Sequence, residues 1–312
     1  MSEELTKEVF NWNIAWAAQC ACILEADAPK VGNVNRYHDF SDCTLEAFHL
    51  SALAIMRPFG EIKEQGVGRT IFNAISATTK LVTTNTNLGI VLLFAPLGMA
   101  YSKVMSKSEL LRSNLDSDSF LDLWKKEIRI VLEGLSVEDA YFVYRAIRLA
   151  SPSGMGDVEE YDVNKDDFPR LTLLEAMKLS AKRDMIAQQY TNNFEQVINV
   201  GYKAIKRSLQ AGLHLPQAIA HTQLFLLSQY GDSLIARKLG VELSIEVQKR
   251  ACEVWENGGF LTPMGQKQTQ EFDLWLREDG HKRNPGATAD LMAAIIFVLL
   301  LENKLVGCRE LI

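Results

Sequence analysis

Residues 83–100 read TTNTNLGIVLLFAPLGMA, and the fold turns on how that stretch is read. It opens with the hydroxyl and carboxamide side chains of Thr83, Thr84, Asn85, Thr86 and Asn87. From Leu88 to Ala100 it is apolar almost without a break. Side-chain oxygens of Asn and Thr accept the orphan N–H groups at a helix N-terminus. A helix that is apolar on every face is a buried one. The stretch therefore predicts a central helix whose polar mouth sits at its positive end, a place suited to phosphate. An ordinary capped core helix would show the same pattern. Gly89, lacking a side chain, lets another chain or a ligand come close to the backbone.

The design recurs near the other end. Asn284-Pro285-Gly286-Ala287-Thr288-Ala289-Asp290 leads into LMAAIIFVLLLE. Asp290 rides in the first turn, where an acid gains only ~0.3–1 kcal/mol from the helix dipole. It reads either as a cap or as a functional acid. Two buried helices with Asn/Thr/Asp mouths are harder to attribute to chance than one.

Toward the N-terminus, residues 9–26 carry Trp12, Ala15, Trp16, Cys20 and Ile23 at helical spacing, and Pro29 stops them. Residues 29–44, PKVGNVNRYHDFSDCT, hold Lys30, Asn33, Asn35, Arg36, His38, Asp39 and Asp42, as a binding loop or a solvated one would. Leu45, Phe48, Ala52, Leu53 and Met56 predict a helix ending before Pro58. Asp39, Asp42 and Glu46 could hold Mg²⁺, which takes oxygen ligands together with water and substrate phosphates. Acid bias at a helix N-terminus explains them equally well. A helix over 69–79 then delivers the chain to the central stretch.

Beyond Ser106 the pattern is that of amphipathic helices. Ser136-x-x-Asp139 and Thr172-x-x-Glu175 are capping boxes; the second predicts one helix through Ala187. Further helices are expected over 193–209, 244–257 and 262–279, and from Pro216, at a favoured first-turn position, to Tyr230. Between them Gly231-Asp232-Ser233 precedes Arg237 and Lys238, so an acid and two cations fall together. The acidic loop 151–169, with Gly154, Met155, Gly156 and Asp157, reads as a hinge or a backbone cradle. No strand alternation, dinucleotide fingerprint, Walker lysine, nucleophile elbow or His-Glu-x-x-His motif is present. The expected architecture is all-α: a single large multi-helix domain over residues 1–312 with buried central helices.

The chain's 33 basic and 39 acidic residues give a net charge of −6, and no basic stripe interleaved with aromatics appears, which argues against nucleic-acid binding. Cys20, Cys22, Cys43, Cys252 and Cys308 form no Cys-x-x-Cys pair, so reduced thiols and a cytoplasmic location are expected. The first residues, MSEELTKEVF, lack the pattern of a signal peptide. The apolar runs 90–100 and 287–301 fall short of the ~20 residues a membrane span needs, so no membrane association is expected.

Taken in order, Asn33-Val34-Asn35-Arg36-Tyr37-His38-Asp39-Phe40, Asn85-Thr86-Asn87-Leu88-Gly89, Asp232 with Arg237 and Lys238, and the turn from Asn284 to Leu291 resemble the triphosphoribosyl-dephospho-CoA synthase family. The resemblance runs from Lys30 to about Leu301. It implies an all-α enzyme that moves the triphosphoribosyl part of ATP onto dephospho-CoA or a related ribose hydroxyl and releases adenine. Members acting for citrate lyase carry Asn-Thr-His-Lys-Gly where this chain has Asn85-Thr86-Asn87-Leu88-Gly89, which marks a divergent branch. Breaking an N-glycosidic bond develops an oxocarbenium-like charge that carboxylates stabilise, a hydroxyl acceptor needs a base, and a triphosphate needs cations. The expected catalytic acids are Asp232, Asp39 and Asp290. Substrate contacts are expected from Lys30, Asn33, Asn35, Arg36, Asn85, Thr86, Asn87, Arg237, Lys238, Asn284 and Thr288. Asp39 and Glu46 are the expected ligands of Mg²⁺, and a homodimer is left open. The rival readings are a Mg²⁺-dependent hydrolase of N-glycosidic bonds and a non-catalytic nucleotide-binding helical protein.

Overall fold

The computed structural model describes residues 11–107, 116–151 and 170–302. The acidic loop with Gly154, Met155, Gly156 and Asp157 lies outside them, as does Cys308. The helices are α1 Trp12–Asp27, α2 Leu45–Ala54, α3 Met56–Gly60, α4 Ile62–Gln65, α5 Val67–Thr78 and α6 Leu88–Met105. Then come α7 Ser117–Glu133, α8 Val137–Ala150, α9 Leu173–Ser180, α10 Met185–Thr191 and α11 Tyr202–Gln210. The last are α12 Leu215–Tyr230, α13 Ser233–Leu239, α14 Val241–Glu256, α15 Pro263–Arg277 and α16 Gly286–Glu302. Among the described residues there is no strand, and the all-α expectation holds.

The two all-round apolar helices are the centre. α6 and α16 pack on each other, with Phe94 stacked on Phe297 at a centroid distance of 4.4 Å. α1 lies along α16, and α5, α7 and α12 complete the surround. α6 is longer than the apolar run alone suggests. By length and composition it could cross a membrane, yet 78% of it is buried inside the protein, as befits a core helix.

Pro96 sits inside α6 and has no N–H to give the carbonyl of Leu92. Tyr190 of α10 supplies the missing donor, its hydroxyl reaching the Leu92 carbonyl at 2.6 Å. One turn on, the indole N–H of Trp124 donates to the Leu97 carbonyl at 3.0 Å. The carbonyl orphaned by the proline is thus satisfied from a neighbouring helix, and α6 continues through it.

Both capping boxes form, at Ser136 with Asp139 and at Thr172 with Glu175. Three boundaries differ from expectation. Pro58 does not end the second helix region but falls in the first turn of α3, where a proline is tolerated. The helix expected over 172–187 is two, because Asp184 turns outward from the helical path to cap α10. The helix expected from Asn193 begins with Asn193 and Phe194 in the left-handed region and a π-helical stretch, Glu195–Gly201. There Gly201 packs so tightly on Ile295 that any side chain would collide with it.

Candidate active site

The polar mouths of α6 and α16 open at the same end of the core, where the N-termini of α10 and α13 also arrive. Each of these short helices is capped by an aspartate. Asp184 accepts from the backbone N–H groups of Ile186 and Ala187 at 2.7 and 3.1 Å, and it also receives the guanidinium of Arg237. Asp232 does the same for α13, its Oδ1 taking the N–H groups of Leu234 and Ile235 at 2.8 and 3.1 Å. Its Oδ2 takes the backbone N–H and the hydroxyl of Thr288 in α16, both at 2.7 Å. Asp232 is therefore a joint between two helix N-termini. Its four acceptor positions are filled, and it is only 1% exposed. Burial pushes its carboxyl up while the bonds from Thr288, Ile235 and Leu234 pull it down.

Asp290 is different. It lies one turn into α16, keeps part of its surface open, and has no hydrogen-bond partner among the described residues. Its carboxylate rests against Gly89 of α6. A Cβ at Gly89 would stand 2.0 Å from Oδ2, so only glycine fits there. Burial holds the Asp290 carboxyl well above the usual carboxylate range. The charges of Glu25, Asp232 and Asp184 push the same way, and Arg237 opposes them. The close approach anticipated at Gly89 is thus made by a carboxylate.

The 29–38 segment closes one side. Lys30 is 1% exposed and turns inward, its Nζ 3.0 Å from Oε1 of Glu25 at the end of α1. Asn33 and Asn35 are buried and brace the loop, donating to the carbonyls of Val31, Lys30 and Asn33. Arg277 reaches in from α15 to the Asn33 carbonyl at 2.6 Å. Arg36 is exposed and pairs with Asp27 at 2.7 Å, and His49 meets the same carboxylate at 2.9 Å.

In the α6 mouth, Asn85 is exposed and its Oδ1 takes the Leu88 N–H at 3.1 Å. Thr86 and Asn87 sit behind it, bonded to Ser51 and Thr78, and Oδ1 of Asn87 is buried with no partner among the described residues. On the opposite side Lys238 donates to Asn284 Oδ1 at 3.1 Å, and burial pulls its ammonium below the ordinary lysine range.

Asp39 and Glu46 stand apart from this mouth in both exposure and role. Both are exposed. Asp39 accepts the Leu45 N–H at 2.8 Å, and Glu46 is held low by the Thr44 hydroxyl and its own backbone N–H. Asp39 is thereby committed to the N-terminus of α2, and Glu46 lies in its first turn. Among the described residues no group of three His, Cys, Asp or Glu side chains comes together to hold a metal ion.

The structure thus gathers Asp232, Thr288, Arg237, Lys238, Asn284, Asp290 and the α6 mouth, and it adds two acids that pattern reading missed. Glu25 looks like any acid in the last turn of a helix. Asp184 lies within a run that propensity alone reads as continuous helix. The signal for both was the pairing cation, Lys30 and Arg237, which the sequence shows without its partner.

The family model for ATP:dephospho-CoA triphosphoribosyl transferase matches residues 11–308. No curated protein matches the chain. A solved protein from Archaeoglobus fulgidus, provisionally described as a triphosphoribosyl-dephospho-CoA synthase, is 23% identical. The likeness covers 81% of this chain and 97% of that one at a TM-score of 0.57, which shows a shared fold.

Proposed function

The chain belongs to the ATP:dephospho-CoA triphosphoribosyl transferase family, and on that premise we propose that the mouth around Asp290 is where it acts. The enzyme transfers the triphosphoribosyl group of ATP to dephospho-CoA. The bond from ribose C1′ to adenine breaks, an acceptor hydroxyl bonds to C1′, and the hydroxyl proton leaves on the released adenine.

On this reading Asp290 takes the hydroxyl proton as the acceptor attacks. The surrounding carboxylates of Glu25 and Asp184 offset the positive charge that develops on the ribose. Arg36, Arg237, Lys238 and the N-terminus of α6 receive the triphosphate. The single observation that carries this is the state of Asp290: a deep, half-open carboxylate with no hydrogen-bond partner among the described residues, in a site where Asp232 is fully satisfied.

Magnesium supplies charge neutralisation to a triphosphate. Asp39 and Glu46 do not fit as its resident ligands, because Asp39 is engaged at the N-terminus of α2 and, among the described residues, no group of three acids, His or Cys gathers around them. The ion belongs with the nucleotide instead, where one or two carboxylates and phosphate oxygens suffice. Cys22, Cys43 and Cys252 are free thiols, which supports a reducing, cytoplasmic setting.

Asp290→Asn tests the reading. Adenine release from ATP and dephospho-CoA should fall by at least ~10²-fold. The melting temperature should hold or rise, since an unpaired buried charge is removed. Turnover within a few-fold of wild type would sink the assignment.

A further inference from the structure

The charged mouth leaves a second concavity unexplained, on the other side of the 29–38 segment. A groove of about 370 Å³ runs between that segment and α12 and α15, lined by Tyr37, His38, Gln217, Phe260, Gln266 and Gln270. Its chemistry is unlike the mouth's. The acid that touches it, Asp273, is already bound to Arg277 and to the Gly32 N–H. His38 is its only basic side chain. Nothing here suits a phosphate.

What the groove offers is neutral hydrogen bonding between aromatic walls. Gln217 and Gln270 have no hydrogen-bond partner among the described residues. Gln266 donates to the Phe260 carbonyl and keeps its oxygen free. Tyr37 is 72% exposed, an unusual position for a large aromatic ring with nothing to cover it. Phe260 is held in place, its N–H on Nδ1 of the buried His221 at 3.3 Å. Carboxamides present a donor and an acceptor side by side, which matches secondary amides in a ligand.

The partition between groove and mouth is one strand of backbone. Pro29 and Val31 line the groove, while Lys30 between them reaches Glu25, whose charge is felt by Asp290. A ligand that occupies both places must be long, with its reacting hydroxyl at one end and neutral amides at the other. Dephospho-CoA is built that way. Its ribose hydroxyl carries the adenine close by, so the base stays at the mouth, and its pantetheine arm holds two amides far from the reaction.

We propose that this groove is the subsite for the pantetheine arm of dephospho-CoA, bound by Gln217 and Gln270 between Tyr37 and Phe260. The inference rests on the function given above. It makes the groove the place where the acceptor is told apart from other adenosine compounds.

The test uses the full chain with Gln217→Ala and Gln270→Ala combined, both exposed positions, and Phe260→Leu as a second variant. ADP serves as the acceptor without the arm. The KM for dephospho-CoA should rise about tenfold or more, with kcat and the KM for ATP within twofold. Turnover with ADP should not respond to either variant. An unchanged KM for dephospho-CoA, or an equal loss with ADP, overturns the proposal. Should wild type release no adenine from ATP and dephospho-CoA, the functional reading itself fails. Calorimetric binding of dephospho-CoA to wild type and variants then decides the groove: weaker binding by the variants supports it, and equal binding overturns it.

Discussion

Replacing Asp232 by Asn separates a joint from a catalyst. In most helix caps Asn is as good as Asp, but here both oxygens are in use. An asparagine can keep its Oδ1 on the Leu234 and Ile235 N–H groups, and its Nδ2 then faces the Thr288 N–H and hydroxyl. The hydroxyl can rotate to accept, but the Thr288 N–H cannot. It is left buried without an acceptor, at a cost of ~1–3 kcal/mol. For a chain of this size that amounts to roughly 1.5–5 °C in melting temperature. Turnover per folded molecule should stay within a few-fold of wild type, because the carboxylate touches neither solvent nor substrate. One further effect is expected. The charge of Asp232 is among those that raise the Asp290 carboxyl, so its loss should move the acid limb of the rate profile to lower pH. Thermal melting, adenine release and a pH series on the same preparation read all three. A variant that melts like wild type yet loses ~10²-fold or more in rate would refute the argument that Asp232 is saturated.

Three other outcomes are expected. Gly89→Ala would put a Cβ 2.0 Å from Oδ2 of Asp290, where ordinary contact needs ~3.5–4.0 Å. A displacement beyond ~1 Å at a reacting group costs about 10²-fold, so kcat should fall at least that far while circular dichroism stays helical; near-normal turnover would show that Asp290 has room to rotate without penalty. The pH dependence of Asp290 has opposite signs for stability and for rate. Its folded value lies above the ordinary ~3.9 of an unfolded aspartate, so its stabilising contribution is full below that value and is lost as pH rises through the raised one. The same rise ionises the base, and adenine release should climb as the melting temperature declines; in Asp290→Asn both trends should flatten. Finally, Asp39→Asn with Glu46→Gln should leave the Mg²⁺ concentration for half-maximal rate unchanged, measured by titrating Mg²⁺ against EDTA, and a severalfold increase would restore those residues as ligands.

Much of the fold was legible because its signals are local. The all-round apolarity of 88–100 and 291–301, the two capping boxes and Pro216 each imply a helix without reference to the rest of the chain. The joints were less legible because they are made between segments. Asp232 reads as a cap or an acid. That it caps two helices at once depends on Thr288, which only the fold brings near. Lys30 has the look of a phosphate ligand, and it turns inward because Glu25 lies one helical turn behind it. Asp184 breaks a helix that its neighbours would continue, and its pull comes from Arg237 and from Ser233, which takes the Met185 N–H. Asp290 was legible as a candidate, but its lack of a hydrogen-bond partner among the described residues is a property of packing.

The way the mouth is stitched also bears on when in its life the chain becomes active. The bond from Thr288 to Asp232 spans 56 residues, that from Arg237 to Asp184 spans 53, and that from Arg277 to Asn33 spans 244. Helices form within microseconds from neighbouring residues, whereas contacts this distant must first overcome the entropy of closing long loops. In refolding, helicity should return well before turnover. During synthesis, a nascent chain that already carries α6 and most of the cations still lacks α16, and with it Asp290. On the role proposed for Asp290, a half-made enzyme has no means of stripping adenine from the cell's ATP, and the hazardous half of its chemistry arrives last.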